Sequence, residues 1–224
     1  MTISNQTRDR VKGIFEPIAL ALGRLGLTPD ALTLIGFGIT VVGAVLLAQQ
    51  QWLWGGIVVL VGGIFDMFDG TLARATGRVS RLGAFMDSVF DRWGEAIVYT
   101  GLIVGCVAAR FDAVTILGST AMASAFMVSY TRAKSEGLGF TAGTGMAAVG
   151  IMPREVRLVL LTAGLIVAGL TGGVVPGSAG AGWLIGALAI ITVGSVITVI
   201  QRILHVRNQA NQPALSRPTE QEQQ

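Results

Sequence analysis

The chain has 224 residues, of which 52% are hydrophobic and only 13% are charged. Because soluble domains of this size usually carry about a quarter charged residues, this composition excludes a disordered chain and most soluble enzymes. It also excludes a nucleic-acid-binding module, whose affinity would depend on dense lysine and arginine. The 31 glycines have no collagen period, and small residues let membrane helices approach closely. The composition therefore indicates a membrane protein built from packed helices.

The first predicted element is a helix over residues 5–25. Apolar side chains recur there at helical spacing, and four basic residues accompany them. This pattern is typical of an amphipathic helix that lies along the membrane surface. Thr28 and Pro29 then indicate the start of the next helix, because a threonine cap followed by proline suits a helix N-terminus.

Six apolar stretches follow, each a candidate to cross the bilayer. They cover residues 31–49, 53–68, 85–109, 113–130, 156–170 and 183–204. The second and fifth are short as apolar runs, so we expect both to continue as helix beyond the hydrocarbon. The sequence thus predicts an all-α, polytopic membrane protein with six transmembrane helices.

The basic residues are distributed unevenly across these spans. With the N-terminus inside, 14 of the 16 lie on one side; Arg110 lies on the other, and Arg92 falls within the third span. The excess of basic residues on the cytoplasmic side of membrane proteins predicts a multi-pass protein of the cell (plasma) membrane, with both termini in the cytoplasm. We expect one membrane domain over residues 1–208. A disordered tail over 209–224, rich in Gln and Pro, is expected to follow.

Acidic residues collect where the second span ends and the third begins. Asp66 and Asp69 are three residues apart, and Asp87, Asp91 and Glu95 follow one another at intervals of four. Each set therefore lies on one helical face. Ionisable groups in membrane helices are costly and mark functional sites. Because the connection is short, the two helices are antiparallel neighbours and the four aspartates can converge.

Four convergent carboxylates require compensating positive charge. Arg74 or Arg92 could neutralise one carboxylate each, whereas divalent cations could neutralise all four. Mg²⁺ fits because it prefers oxygen ligands and keeps waters for a phosphate substrate. Zinc is disfavoured because Cys106 lies in an apolar run and His205 stands alone, far along the chain.

The complete pattern is Asp66-x-x-Asp69-Gly70-x-x-Ala73-Arg74, eight residues, then Gly83-x-x-x-Asp87-x-x-x-Asp91. It resembles the signature of the CDP-alcohol phosphatidyltransferases at every fixed position. This resemblance implies a membrane enzyme with six transmembrane helices, in which an alcohol displaces CMP from a CDP-linked lipid.

The same resemblance implies roles for individual residues. Asp66, Asp69 and Asp87 would bind one Mg²⁺. Asp66, Asp87 and Asp91 would bind a second, with Mn²⁺ as an alternative, and Asp91 would also be the catalytic general base. The CDP-lipid would contact Asp30, Ala31, Leu32, Thr33, Gly70, Arg74 and Ser80.

Basic residues at later helix ends suggest where the acceptor binds. Lys134, Arg154 and Arg202, if they face inward, form a pocket for a phosphate-bearing acceptor. Within the family, Arg132-Ala133-Lys134-x-Glu136-Gly137 and Met152-x-Arg154-x-x-Arg157 most resemble the phosphatidylinositol phosphate synthases of actinobacteria and the archaetidylinositol phosphate synthases of archaea. The resemblance implies that these three residues hold the phosphate of inositol 1-phosphate, with Arg157 as a further contact. It also implies a homodimer.

The expected reaction transfers the phosphatidyl group of CDP-diacylglycerol to inositol 1-phosphate, giving phosphatidylinositol phosphate and CMP. Phosphatidylglycerophosphate synthesis from glycerol 3-phosphate is the alternative, because that acceptor is also an anionic phosphorylated polyol. The sequence leaves open whether the lipid is diacyl or ether-linked. A cation transporter would place acids near mid-membrane and show an internal repeat, and neither is visible. The expected partners are the two substrates and the bilayer, without nucleic acid.

Overall fold

The computed structural model of the chain describes residues 16–140 and 146–211. This part is helical and contains no strand, in agreement with the all-α prediction. A short 3₁₀ turn, Met146–Ala148, precedes the sixth helix. The helices are α1 (16–24), α2 (Pro29–Ala48), α3 (Trp52–Ala75), α4 (Arg81–Ala108), α5 (Asp112–Gly137), α6 (Arg154–Leu170) and α7 (Ala179–Ala210).

Among the described residues, four helices are long and apolar enough to cross a membrane, namely α2, α3, α5 and α7. The other two predicted spans, α4 and α6, do not meet both of these criteria. The first half of α4 carries acids and arginines, and α6 has only 17 residues. Four of the six predicted spans are therefore identified on length and composition.

The helix ends follow local capping chemistry. Thr28 accepts a hydrogen bond from the Ala31 N–H at 3.2 Å, so α2 begins where the sequence predicts. As expected, α3 continues well past its apolar run, to Ala75. The prediction that α6 also continues well beyond its apolar run is wrong, because the helix gains only the residues from Arg154 at its start. Pro153 at its N-cap and a glycine pair after Leu170 limit the helix.

Neighbouring helices pack in a fixed pattern. α2 packs against α3 and α4, α4 also against α5, α5 also against α7, and α6 against α3 and α7. A separate apolar cluster joins α1, α2 and α3 through Ala19, Leu32, Phe68 and Leu72. Because successive helices alternate in direction, one end of the bundle collects the starts of α2, α4 and α6 with the ends of α3, α5 and α7.

The two ends of the chain are only partly described. The predicted surface helix over 5–25 is seen as helix at 16–24, and residues 5–15 lie outside the described residues. At the other end α7 continues to Ala210, so the first two residues of the predicted disordered tail over 209–224 are helical, while 212–224 lie outside the described residues.

Candidate active site

Three aspartates meet at the end of the bundle where α3 ends and α4 begins. Asp66, Asp69 and Asp87 each offer a carboxylate oxygen, and these oxygens lie within 4.8 Å of one another. Asp69 is buried and the other two are half-buried. The convergence expected from the helical spacing is therefore seen for these three residues.

The Asp69 carboxylate is held by two hydrogen bonds. Thr33 donates its hydroxyl to Asp69 Oδ2 at 2.5 Å, and the Gly70 N–H donates to Asp69 Oδ1. Both donors were predicted as contacts of the CDP-lipid. In the structure they also orient a carboxylate of the cluster, which limits its rotamers.

Arg154, at the start of α6, supplies positive charge to the acids. Its Nη1 lies 3.0 Å from Asp66 Oδ2 and 2.6 Å from Asp91 Oδ1. The contact with Asp91 lies outside hydrogen-bond geometry, so Asp91 Oδ1 is buried without a hydrogen bond. Among the predicted neutralising residues, Arg92 is 3.8 Å from Asp91. Arg154 is separated by 88 residues from Asp66, so no local pattern predicts this contact.

A cleft next to the acids contains most of the residues predicted to bind the CDP-lipid. Besides Asp69 and Asp87, its lining includes Asp30, Thr33, Gly70, Arg74 and Ser80. A Cβ on residue 70 would lie 3.2 Å from Arg74 Nη1, so glycine leaves space for that guanidinium in the cleft.

Two predicted CDP contacts do not line this cleft. The Leu32 side chain is fully buried in the cluster that joins α1 to α3. The Ala31 N–H is used by the Thr28 cap. Asp30 and Thr33, from the same segment at the start of α2, do line the cleft.

The predicted acceptor contacts have different surroundings. Lys134 is exposed on the last turn of α5. Arg202 is buried and donates to the carbonyls of Val128 and Val149. Arg157 is buried and donates to Glu95 and to the Met152 carbonyl. Of the four basic residues, Arg154 alone has an ion pair with the aspartates among the described residues.

The donor set fits a hard divalent metal ion. The three clustered aspartates offer only carboxylate oxygens, which magnesium and manganese prefer, and no thiol or imidazole belongs to the group. Thr33 and Gly70 hold the Asp69 carboxylate, as partners of metal ligands usually do.

Residues 26–200 match the family model of the CDP-alcohol phosphatidyltransferases. The protein belongs to this family and is an enzyme of that class. Together with its four apolar helices, this membership identifies it as a membrane protein.

Two relatives are similar over most of their length. The archaetidylinositol phosphate synthase of Pyrococcus horikoshii is 38% identical over 159 residues, which cover 70% of this chain and 79% of the relative. The phosphatidylinositol phosphate synthase of Streptomyces avermitilis is 35% identical over 200 residues, which cover 88% of this chain and 79% of the relative.

A solved structure shares the fold. It is the phosphatidylinositol phosphate synthase of Mycobacterium tuberculosis in complex with manganese and citrate. Its TM-score is 0.76 at 31% identity, over 91% of this chain and 92% of that one. The structure of the same enzyme with CDP-DAG bound has a TM-score of 0.73 and covers 86% of this chain and 93% of that one. A divalent metal in this relative agrees with the aspartate cluster found here.

Proposed function

We propose that the protein transfers the phosphatidyl group of CDP-diacylglycerol to a hydroxyl of inositol 1-phosphate and releases CMP. The observation that carries the proposal is the cleft in which Asp69 and Asp87 lie beside Gly70 and Arg74. It combines carboxylates able to hold a metal with a small residue and a cation suited to a pyrophosphate. The names of the Streptomyces and Mycobacterium relatives support inositol phosphate as the acceptor.

We assign two magnesium ions to the acids, with manganese as an alternative. Asp66, Asp69 and Asp87 would hold the first ion, and Asp66, Asp87 and Asp91 the second. When bound, the two ions would neutralise the pyrophosphate and stabilise CMP as a leaving group.

The remaining chemistry belongs to side chains of this chain. Asp91 accepts the proton of the acceptor hydroxyl. At the same time, the oxygen of that hydroxyl forms a bond to the phosphorus that carries the lipid. The bond from that phosphorus to the bridging oxygen breaks, and CMP leaves with the electron pair. A carboxylate is a weak base towards a sugar hydroxyl, so Asp91 acts late, as the proton becomes acidic in the transition state.

The acceptor phosphate is assigned to Lys134, Arg154 and Arg202, at the ends of three helices. Arg154 is the best placed, because it already lies beside Asp91. Arg157 is left out because Glu95 neutralises its guanidinium through a bidentate contact, whereas the groups that hold Arg202 are uncharged carbonyls.

The membrane arrangement proposed here has six spans, with α4 and α6 added to the four apolar helices. Both termini and the cleft face the cytoplasm at the plasma membrane, and the N-terminal helix lies along the surface. Residues 1–208 form one domain, and the chain acts as a homodimer.

An acceptor panel tests this function. The purified protein, in detergent with Mg²⁺ and CDP-diacylglycerol, is incubated with inositol 1-phosphate, glycerol 3-phosphate or free inositol, and CMP is measured. We expect CMP only when an acceptor is present, and a kcat/KM at least about tenfold higher for inositol 1-phosphate than for either alternative.

Other outcomes of the panel have defined meanings. A preference for glycerol 3-phosphate would identify the protein as a phosphatidylglycerophosphate synthase. If no phosphorylated polyol gave CMP, the enzymatic proposal would fail, and cation transport would be tested next.

Chelation with EDTA should abolish CMP release, and Mg²⁺ should restore it.

A further inference from the structure

Glu95 and Arg157 form a buried ion pair one helical turn deeper in the bundle than Asp91 and Arg154. Arg157 donates from Nε to Glu95 Oε1 at 2.8 Å and from Nη2 to Glu95 Oε2 at 2.9 Å, so the contact is bidentate. Arg157 is 1% exposed. Its Nη1 also donates to the Met152 carbonyl at 3.0 Å. Proton transfer to Asp91 requires neither member of this pair.

The spacing along both helices relates this pair to the active site. Glu95 follows Asp91 by four residues on α4, and Arg157 follows Arg154 by three on α6. Side chains at these spacings share a helical face. The Glu95–Arg157 pair therefore repeats the Arg154–Asp91 contact one turn further from the cleft, and two successive arginine–carboxylate contacts link the helices.

Packing between α4 and α6 is otherwise sparse at this level. The main neighbours of α4 are α2 and α5, and those of α6 are α3 and α7. A cavity enclosed by α2, α3, α4 and α6 lies here; its lining includes Gly94 and Leu158 as well as Glu95 and Arg157. The Tyr99 hydroxyl, also at this cavity, is buried and has no hydrogen-bond partner among the described residues. The Glu95–Arg157 pair therefore spans a gap that side-chain packing leaves open between α4 and α6.

We propose that the Glu95–Arg157 pair is a positioning element for the transfer reaction. By fixing the distance between α4 and α6, it places Arg154 beside Asp91. This inference rests on the proposed function, in which Asp91 accepts the acceptor proton and Arg154 holds the acceptor phosphate. Because a misplacement of about 1 Å can reduce a rate about 100-fold, the pair controls kcat without touching either substrate.

Three variants of the full-length protein test this role. Glu95→Gln removes the negative charge, and Arg157→Lys keeps the positive charge but cannot form the bidentate contact. The double variant Glu95→Met with Arg157→Met removes both charges of the pair; Arg92, which also donates to Glu95 Oε2 at 3.1 Å, keeps its contact with Ser129. We expect kcat to fall at least about tenfold in all three. The KM for CDP-diacylglycerol should stay unchanged, because its assigned contacts lie on α2, α3 and the start of α4.

Glu136→Gln is the matched control. It breaks the exposed Arg132–Glu136 pair, which lies within α5 and joins no two helices, and should leave kcat unchanged. The proposal is overturned if the folded double variant keeps wild-type kcat, or if the KM for CDP-diacylglycerol rises in step with the loss of kcat. An inactive wild-type protein would instead contradict the proposed function, so the two failures are distinguishable.

Discussion

Thr33 shows how one side chain can act on a site through its neighbour. Its hydroxyl is fixed by the first turns of α2 and donates to Asp69 on α3 at 2.5 Å. With the Gly70 N–H on the other oxygen, the carboxylate is oriented before any ligand arrives. Such preorganisation avoids a reorganisation cost at the moment of reaction.

Asp91 lies beside two guanidinium groups. Its Oδ1 faces Arg154 at 2.6 Å, and Arg92 lies 3.8 Å from its Oδ2. Burial disfavours the charged form of a carboxylate, and the two guanidinium groups oppose that effect at Asp91.

Asp91→Asn should lower turnover by about 100-fold to 10,000-fold, because the amide cannot accept the acceptor proton. Binding of CDP-diacylglycerol should persist, since Asp69, Gly70 and Arg74 remain in the cleft. Stopped CMP-release assays and equilibrium lipid binding measure the two effects separately. Asp112→Asn, the same chemical change at the opposite end of the bundle, should leave both unaltered. Wild-type turnover in Asp91→Asn would refute the assignment of the base.

At the scale of the elements, close contact between α2 and α4 depends on missing side chains. A Cβ on Gly101 would overlap the backbone carbonyl of Ala44, and one on Gly105 would overlap that of Leu47. Backbone atoms cannot move aside as a flexible side chain can. These glycines let α4 lie directly on α2, and so help to place Asp87 beside Asp69.

Gly101→Ala should therefore destabilise the protein by about 1–3 kcal/mol, the usual cost of overpacking. This destabilisation should appear as a midpoint of thermal unfolding below that of the wild type, measured in detergent at a fixed scan rate. Gly186→Ala on α7 is the control, because a Cβ there meets nothing within 4 Å. Alanine also favours helix over glycine by up to about 1 kcal/mol, so the control midpoint should stay equal or rise. Equal midpoints in the two variants would contradict the role of Gly101.

The limits of sequence-based prediction are visible in the same elements. Helices and aligned acids follow from local periodicity, which is why α2–α5 and the Asp66, Asp69 and Asp87 cluster are predictable. The Arg157–Glu95 contact joins residues 62 apart, and such contacts depend on how helices pack. The burial of Leu32 has the same origin, because its cluster is completed only by α1 and α3.

At the scale of the whole molecule, alternation of the helices brings the functional groups to one end. α5 has 26 residues, or roughly 39 Å at 1.5 Å per residue. That length exceeds the roughly 30 Å of hydrocarbon. Its start at Asp112 and the residue after its end, Leu138, should therefore lie on opposite sides of the membrane.

Cysteine labelling tests this arrangement directly. The single native cysteine, Cys106, is fully buried, so the wild-type chain should not react with a membrane-impermeant maleimide. In intact cells, Asp112→Cys should be labelled, while Leu138→Cys should be labelled only after permeabilisation. The reverse pattern would mean that the cleft faces away from the cytoplasm. Labelling of both positions in intact cells would show that α5 does not span the membrane.

The sparse packing between α4 and α6 also has a consequence for divergence within the family. Residues assigned to the nucleotide lie on α2, α3 and α4, and those assigned to the acceptor lie on α5, α6 and α7. At the active site itself the two groups meet through charged side chains such as Arg154 and Asp91, while elsewhere α3 packs against α6 and α4 packs against α5. The acceptor half can therefore accumulate substitutions, and with them a new preferred alcohol, while the half that holds the nucleotide stays intact.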